Sequence, residues 1–320
     1  MKNKKIFKHI GKILALSLGL GLVLSPLVGM EKSEAVSEEE SLEADIRTKL
    51  DQLGGDWQVA IKTLDGDKNL DIYFTSQSSP QSLPAASSIK IFIGLATFDL
   101  VERSALEETD QVRSDVYAML NASDNDASNR LVSALGGFDK VNRTIIDITG
   151  GTKTSLKRLF LHKGPENMAN ARDLNLAMER IYRKDFVNEE HSSYIFDALT
   201  KTTTRSQKLL GNLPSYSWAI NKSGELPDRG VENDSAIVKV NDRVYAITVM
   251  TRTKNIQNRK PQLDAMKDVG RIAYDYYAGR ETTKPTNPSD EEKENQNPIF
   301  SENNIYTYKK IDLDKSLIRK

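Results

Sequence analysis

The order of its residue patterns predicts an α/β (α+β) fold: one antiparallel sheet flanked by terminal helices, with an all-helical lobe inserted between its strands. Three observations carry this. Two β-rich runs follow an amphipathic stretch near the N-terminus. A long middle block repeats its apolar residues every three or four positions. Three more β-rich runs then precede a closing amphipathic stretch.

Taken in order, Leu42, Ile46 and Leu50 recur at four-residue spacing and predict a helix over 41–52, ended by Gly54-Gly55. Residues 57–63 alternate as a strand, Asp65-Gly66-Asp67 turns, and 70–74 return as a second strand. Helical spacing then covers 89–102, 115–135, 138–147, 171–182 and 192–199, punctuated by Gly136-Gly137 and Gly150-Gly151. Runs 217–222, 235–240 and 243–249 are β-rich, the last two joined by Asn241-Asp242. Leu263, Met266, Ile272, Ala273 and Tyr276 mark the closing helix. The catalytic cleft of such a fold is expected between its two lobes.

The ends read differently. Lys2, Lys4, Lys5, Lys8 and Lys12 precede an apolar run from Ile13 to about Val28, the charged and apolar regions of an export segment. A signal peptide cleaved after Gly29 or near Ala35 fits, and so does an uncleaved signal anchor. Either places the body outside the cytoplasmic membrane: secreted, or attached only through this segment. The expected organisation is a signal peptide or anchor over 1–30, a polar tether over 31–40 and a catalytic domain over 41–280. Its α/β lobe comprises 41–86 and 212–280, and its helical lobe 87–211. Residues 281–320, rich in Pro, Asn and charge, read as a disordered linker and charged tail, whose partner the sequence does not name.

Composition narrows the chemistry. Of 320 residues 38% are apolar and 28% charged, ordinary for a soluble globular chain, and the 45 basic residues balance the 45 acidic ones. No nucleic-acid partner is expected from that balance. There is no cysteine, which excludes a thiol nucleophile, disulfides and thiolate zinc sites. Of three histidines, His9 lies in the export segment, and His162 and His191 both sit in polar surroundings that read as exposed. A Ser-His-Asp triad or a zinc hydrolase needs more. No metal or cofactor is implied, and a serine enzyme made from this chain needs a lysine base.

Three elements supply one, in this order: Ser87-Ser88-Ile89-Lys90, Ser123-Asp124-Asn125 and Lys222-Ser223-Gly224. S-x-x-K and K-S-G each occur once, while S-x-N also fits Ser301-Glu302-Asn303. One helical turn separates Ser87 from Lys90, so the amine can take the hydroxyl proton if burial and a second cation, Lys222, lower its pKa. Ser123 can relay a proton to the leaving group, and Asn125 can orient Lys90 or bind a substrate amide. The competing reading of Ser-Asp-Asn is a plain helix cap. Lys222 and Ser223 offer charge and a hydroxyl to a substrate carboxylate. Gly224 leaves room beside the strand, and the N–H groups of Glu225 and Ser87 can form an oxyanion hole.

With these motifs, Ser128-Asn129, Leu135-Gly136-Gly137 and the stretch 218–238, the chain resembles the class A β-lactamase-like serine hydrolases, which share their motif trio with penicillin-binding proteins. The resemblance runs from about Leu42 to Gly279 and implies a β-lactamase/transpeptidase-like fold. It also implies Ser87 as nucleophile, Lys90 as base, Ser123 as relay, Asn125 as a contact of substrate or lysine, and Lys222 with Ser223 as carboxylate anchor. The substrate implied is a β-lactam or a peptidoglycan-type amide or ester.

Two departures bear on turnover. The family's deacylating glutamate lies in a segment that here reads Ser155-Leu156-Lys157-Arg158-Leu159-Phe160, which puts Phe160 in its place and Glu166 near the far end of a shorter loop. The stretch between Lys90 and Ser123 is also shorter. An acyl-enzyme is therefore expected to form and efficient β-lactam hydrolysis is not, as in a penicillin-binding acyl transferase, an esterase, a D-Ala-D-Ala-type peptidase or a slow β-lactamase. The alternative from another class is a non-catalytic cell-surface protein that uses the fold to bind peptidoglycan or a partner.

Overall fold

Ser37 and Glu40 cap one another at the first helical turn. The Glu40 amide donates to Ser37 Oγ at 3.2 Å and the Ser37 amide to Glu40 Oε2 at 3.0 Å, a reciprocal capping box. Helix α1 (Glu38–Asp51) therefore starts inside the segment 31–40 expected to be a tether. The structure, a computed structural model, describes residues 37–215 and 217–279. The expected export segment and charged tail lie outside the described residues.

Strands β1 (Asp56–Asp65) and β2 (Asp71–Thr75) form a hairpin, followed by the two-residue β3 (Leu83–Pro84) and a 3-10 turn over Ala86–Ile89. Five helices come next: α2 (Lys90–Glu102), α3 (Asp110–Asn121), α4 (Asn125–Ala134), α5 (Phe138–Thr149) and, after the short β4 (Met168–Ala169), α6 (Ala171–Arg183). Helix α7 (Glu189–Thr200) leads to β5 (Trp218–Leu226), β6 (Val231–Val240), β7 (Arg243–Arg252) and the closing α8 (Lys260–Ala278). The five long strands form one antiparallel sheet in the order β2-β1-β7-β6-β5. No helix among the described residues is long and apolar enough to cross a membrane.

Two apolar cores follow from strand alternation. One face of the sheet, with Leu42, Ile46 and Leu50 of α1 and Met266, Val269 and Ala273 of α8, buries Val59, Ile61, Val238, Ile247 and Val249. The other, with Ile220, Ile237 and Met250, packs under the helical block. Helix α2 runs through that block with Ile91, Phe92, Ile93, Leu95, Ala96 and Phe98 all buried, the signature of a helix with no solvent face.

The single helix expected over 115–135 is two. The chain breaks at Ser123, whose φ of 58° is left-handed, and restarts at Asp124, whose side chain accepts from the Ala127 amide at 2.8 Å. The helical lobe also ends earlier than 211, since Leu209 and Leu210 belong to the core of α1 and α8. His191, read from sequence as exposed, is only 4% accessible. Its ring stacks on Phe98 at 4.3 Å and bonds Glu102 through Nδ1 at 2.6 Å, with Glu108 facing Nε2. It clasps α7 to the end of α2.

Candidate active site

The turn that carries Ser87 is held in place before any helix begins. β3 pairs with β4, and the Ala85 amide donates to Asn167 O at 2.8 Å, which ties the turn to the end of the 150–167 loop. From β6, Asn233 Nδ2 donates to Pro84 O at 2.9 Å and Ala85 O at 3.1 Å. Ala86 takes a left-handed φ of 49°, an uncommon state for a residue with a side chain and one that clusters at functional sites. Ser87 follows, half-buried, on the wall of a cleft of about 510 Å³.

Lys90 opens α2 and is wholly buried. Its amine donates to Ser123 O at 2.6 Å and to Asn125 Oδ1 at 2.8 Å, with Asp124 O at 3.3 Å and Ser123 Oγ at 3.4 Å. These bonds run to Ser123 and Asn125 rather than to Ser87. Lys222, 2% accessible on β5, donates to Ser123 Oγ at 3.0 Å. Ser123 thus receives both amines, and the left-handed backbone that breaks the helix is what turns it toward them. Within Ser-Asp-Asn, Asp124 caps α4 while Ser123 and Asn125 face Lys90.

Burial, and next the charge of Lys222, bring the Lys90 amine down to about 6, with Asp124 pulling upward. Burial, and next the charge of Lys208, bring Lys222 down to about 7 against Asp234 and Glu225. Lys90 is therefore mostly a neutral amine at pH 7. Such an amine has two N–H groups and one lone pair. The short bonds to Ser123 O and Asn125 Oδ1 engage both N–H groups and leave the lone pair free to accept a proton.

The ring of Phe160 lies against this amine, with its centroid 4.6 Å from Lys90 Nζ. Its backbone is fixed by Asn129, which accepts from the Phe160 amide at 2.8 Å and donates to its carbonyl at 3.1 Å. Glu166 does line the cleft, but Arg158 holds it at 2.7 Å and Arg229 at 2.5 Å. Among the described residues no group of His, Asp and Glu is placed to hold a metal ion.

Gly224 is required by a close approach different from the expected one. A Cβ there would stand 2.7 Å from the Ser88 amide nitrogen, 2.9 Å from that of Ser87 and 2.9 Å from Ala85 O. It is backbone of the Ser87 turn that fills the space. Ser223 points away from Lys222, as strand alternation requires, and its hydroxyl pairs with Thr204 Oγ1 at 2.9 Å. Glu225 lines the cleft, and its carboxylate bonds Arg259 at 2.6 Å. Ser87, Lys90, Ser123, Asn125, Lys222 and Gly224 are thus gathered on one side of β5, and the Ser223 and Glu225 side chains on the other. Sequence reasoning missed Asn129, Asn167 and Asn233 as supports of the site. Each works through tertiary hydrogen bonds that no local spacing encodes.

Residues 111–277 match a family model described as Beta-lactamase2, Beta-lactamase enzyme family. The match includes the Ser-Asp-Asn and Lys-Ser-Gly elements and begins after Ser87. Among curated proteins the chain is similar to Beta-lactamase OXY-1 of Klebsiella oxytoca, 27% identical over 161 residues that cover 48% of this chain and 55% of that protein. It thus spans about half the length of that relative. Among solved structures it is similar to a variant of PBP-A in an acyl-enzyme complex with penicillin G, with a TM-score of 0.65 and 20% identity over 75% of this chain and 97% of that one. It is also similar to the extended-spectrum β-lactamase TLA-1, with a TM-score of 0.66 and 18% identity over 76% and 100%. A β-lactamase from Xanthomonas campestris pv. campestris gives 0.66 and 17% over 76% and 100%. At these identities the likeness establishes the fold.

Proposed function

We propose, from the premise that the chain belongs to the beta-lactamase enzyme family, that Ser87 attacks a β-lactam or a related amide or ester and retains the acyl group. At the family level this is serine-hydrolase chemistry. The slow release of the acyl group rests on this chain's own Phe160 and Glu166.

The observation that carries the reading is the state of Lys90: buried, depressed to about 6, with both N–H groups engaged by carbonyl oxygens. Its lone pair takes the Ser87 proton as Oγ bonds to the substrate carbonyl carbon. The oxyanion that forms is met by the Ser87 and Glu225 amides across the Gly224 contact. The C–N or C–O bond then breaks, and the leaving atom takes a proton from the Ser123 hydroxyl, which both amines can replenish. Protonated Lys222 keeps Ser123 oriented and offers positive charge to a substrate carboxylate. Acylation therefore rises as Lys90 loses its proton and falls as Lys222 loses its own, a bell whose two limbs belong to the coupled pair.

Hydrolysis of the acyl-serine needs a second base to activate water. Phe160 offers none, and Glu166 is committed to Arg158 and Arg229. A long-lived adduct suits an acyl transferase, an esterase, a peptidase on peptidoglycan-type stems or a slow β-lactamase. The Lys-rich and apolar run at 1–28 supports a place outside the cytoplasmic membrane.

The test is incubation of the full chain with a fluorescent penicillin and an activated ester, followed by intact mass. Covalent label that is absent from Ser87→Ala and persists for minutes or longer is expected. No label from either reagent points instead to a binding protein, and loss of the adduct within seconds refutes the slow release.

A further inference from the structure

The reverse face of the site strand carries a second group of charges that no motif announces. Alternation directs Lys222 and Gly224 of β5 toward the helical block, and Asn221, Ser223 and Glu225 toward α1 and α8, where Glu232 and Asp234 of β6 join them. Lys208 sits among these with no accessible surface. Its amine donates to Gly224 O at 3.0 Å and Asn233 O at 3.2 Å, and lies 2.8 Å from Glu232 Oε2 and 3.8 Å from Glu225 Oε2. Arg259 joins the same two glutamates at 2.6 Å each. Asp234 accepts from Asn221 Nδ2 at 2.9 Å and the Leu209 amide at 3.2 Å.

We propose that Lys208 is a positioning residue of the Ser87 site, fixing the Gly224–Glu225 peptide from behind and holding a positive charge at the back of Lys222. The inference rests on the acyl-serine reading above and adds to it a residue outside the three motifs.

One line of geometry and one of charge support it. First, Lys208 grips the carbonyls of Gly224 and Asn233, and the Asn233 side chain grips those of Pro84 and Ala85. The peptide that presents the Glu225 amide and the turn that presents Ser87 are therefore tied to one buried ammonium. Second, the groups that act on Lys222 from its own face are Lys90 of α2 and the Ser123 hydroxyl of the α3–α4 junction. Those that act through the reverse face are Lys208 from the segment before β5, Asp234 from β6 and Glu225 from its own strand. After burial, Lys208 is the largest influence lowering Lys222, whereas Asp234 and Glu225 raise it. Asp234, itself raised to about 6 by burial, is held down first by Lys208. A buried ammonium without strong partners would be expensive, and Glu232 stands 2.8 Å from this one, itself held by Arg259.

The test is the pH dependence, between pH 5 and 9, of acylation of the full chain by a fluorescent penicillin. In Lys208→Met the descending limb, set by Lys222, moves up by about one unit, and the maximum rate falls about 10-fold as the Glu225 amide loses its anchor. In Asp234→Asn the same limb moves down. Lys208→Arg keeps the charge and leaves the limb in place. Opposite displacements from two buried substitutions are not what a general loss of packing produces. If Lys208→Met fails to fold, Lys208→Met with Glu232→Gln removes the ion pair together and should show the same upward shift. Displacement of the descending limb in the same direction in both Lys208→Met and Asp234→Asn, or in neither, overturns the proposal while leaving Ser87 labelling intact. Absence of labelling in the unaltered protein would instead refute the acyl-serine reading, and this proposal with it.

Discussion

Replacing Phe160 by glutamate should change two rates in opposite directions. A carboxylate at the ring's position stands about 4.6 Å from Lys90 Nζ. At an effective dielectric constant near 20, unit charges so spaced attract by about 3.6 kcal/mol, equivalent to ~2.6 pK units. Lys90 then moves from about 6 to between ~8 and ~9, and its neutral fraction at pH 7 falls from roughly nine-tenths to a few per cent. Acylation at pH 7 should slow about 30-fold, and its ascending limb should move to higher pH. The same carboxylate is placed to activate water, so the adduct should release ~100-fold faster or more, the usual scale of general-base catalysis. Phe160→Gln controls for the lost ring, since it removes the same packing without adding charge. Stopped-flow labelling across pH gives the first rate, and timed intact mass of the penicilloyl adduct gives the second. If the limbs of the glutamate and glutamine variants coincide, residue 160 does not control the amine. If their adducts decay alike, a missing base is not what preserves the acyl group.

Lys90→Met should abolish rapid labelling yet stabilise the fold. Its folded pKa lies below the unfolded value, so the unfolded chain binds a proton that the native state refuses between about 6 and ~10.5. The penalty is complete below pH 6 and fades as pH rises, so the variant's gain in Tm, ~3 °C or more at pH 5.5, should shrink toward pH 9 by calorimetry. Gly224→Ala should cost about 1–3 kcal/mol in denaturant titrations and slow acylation ~100-fold, because its new methyl meets backbone nitrogens at 2.7 and 2.9 Å that cannot swing aside. A folded variant with ordinary labelling would show that β5 and the Ser87 turn need not approach so closely. His191→Ala should lower stability by about 2 kcal/mol through loss of its Phe98 and Glu102 contacts while leaving the labelling rate unchanged. A large change in labelling would connect the α2–α7 clasp to the site.

The fold and the main site motifs were legible because each is written in local spacing. S-x-x-K states its meaning within one helical turn, and alternation together with β-rich composition located the five long strands. What stayed hidden depends on what arrives from elsewhere in the chain. His191 follows two glutamates and reads as solvated, yet Phe98 and Glu102 of α2 cover it. Lys208 lies in a polar stretch without periodicity, and only the folding of Glu232 and Asn233 against it makes it a buried charge. The break at Ser123 was masked because Val116, Leu120, Ala127 and Leu131 keep a helical rhythm across two separate helices. The start of α1 could have been read, since Ser37-x-x-Glu40 is a capping box, but the acidic run around it looked like a tether.

The central pairing of the sheet joins the two ends of the domain, with Asp56 of β1 opposite Arg252 of β7. During synthesis β1 waits beside β2 alone until nearly every intervening residue has left the ribosome. Such a hairpin, with Val59 and Ile61 unburied, is marginal in water and exposes a free strand edge. The helical block can collapse meanwhile, but the sheet must pay a large loop-closure entropy before it gains any stability. Slow pairing of the sheet is therefore expected from the connectivity, and a circular permutant that joins the end of α8 to the start of α1 and opens the chain within the helical block should fold faster than the natural order.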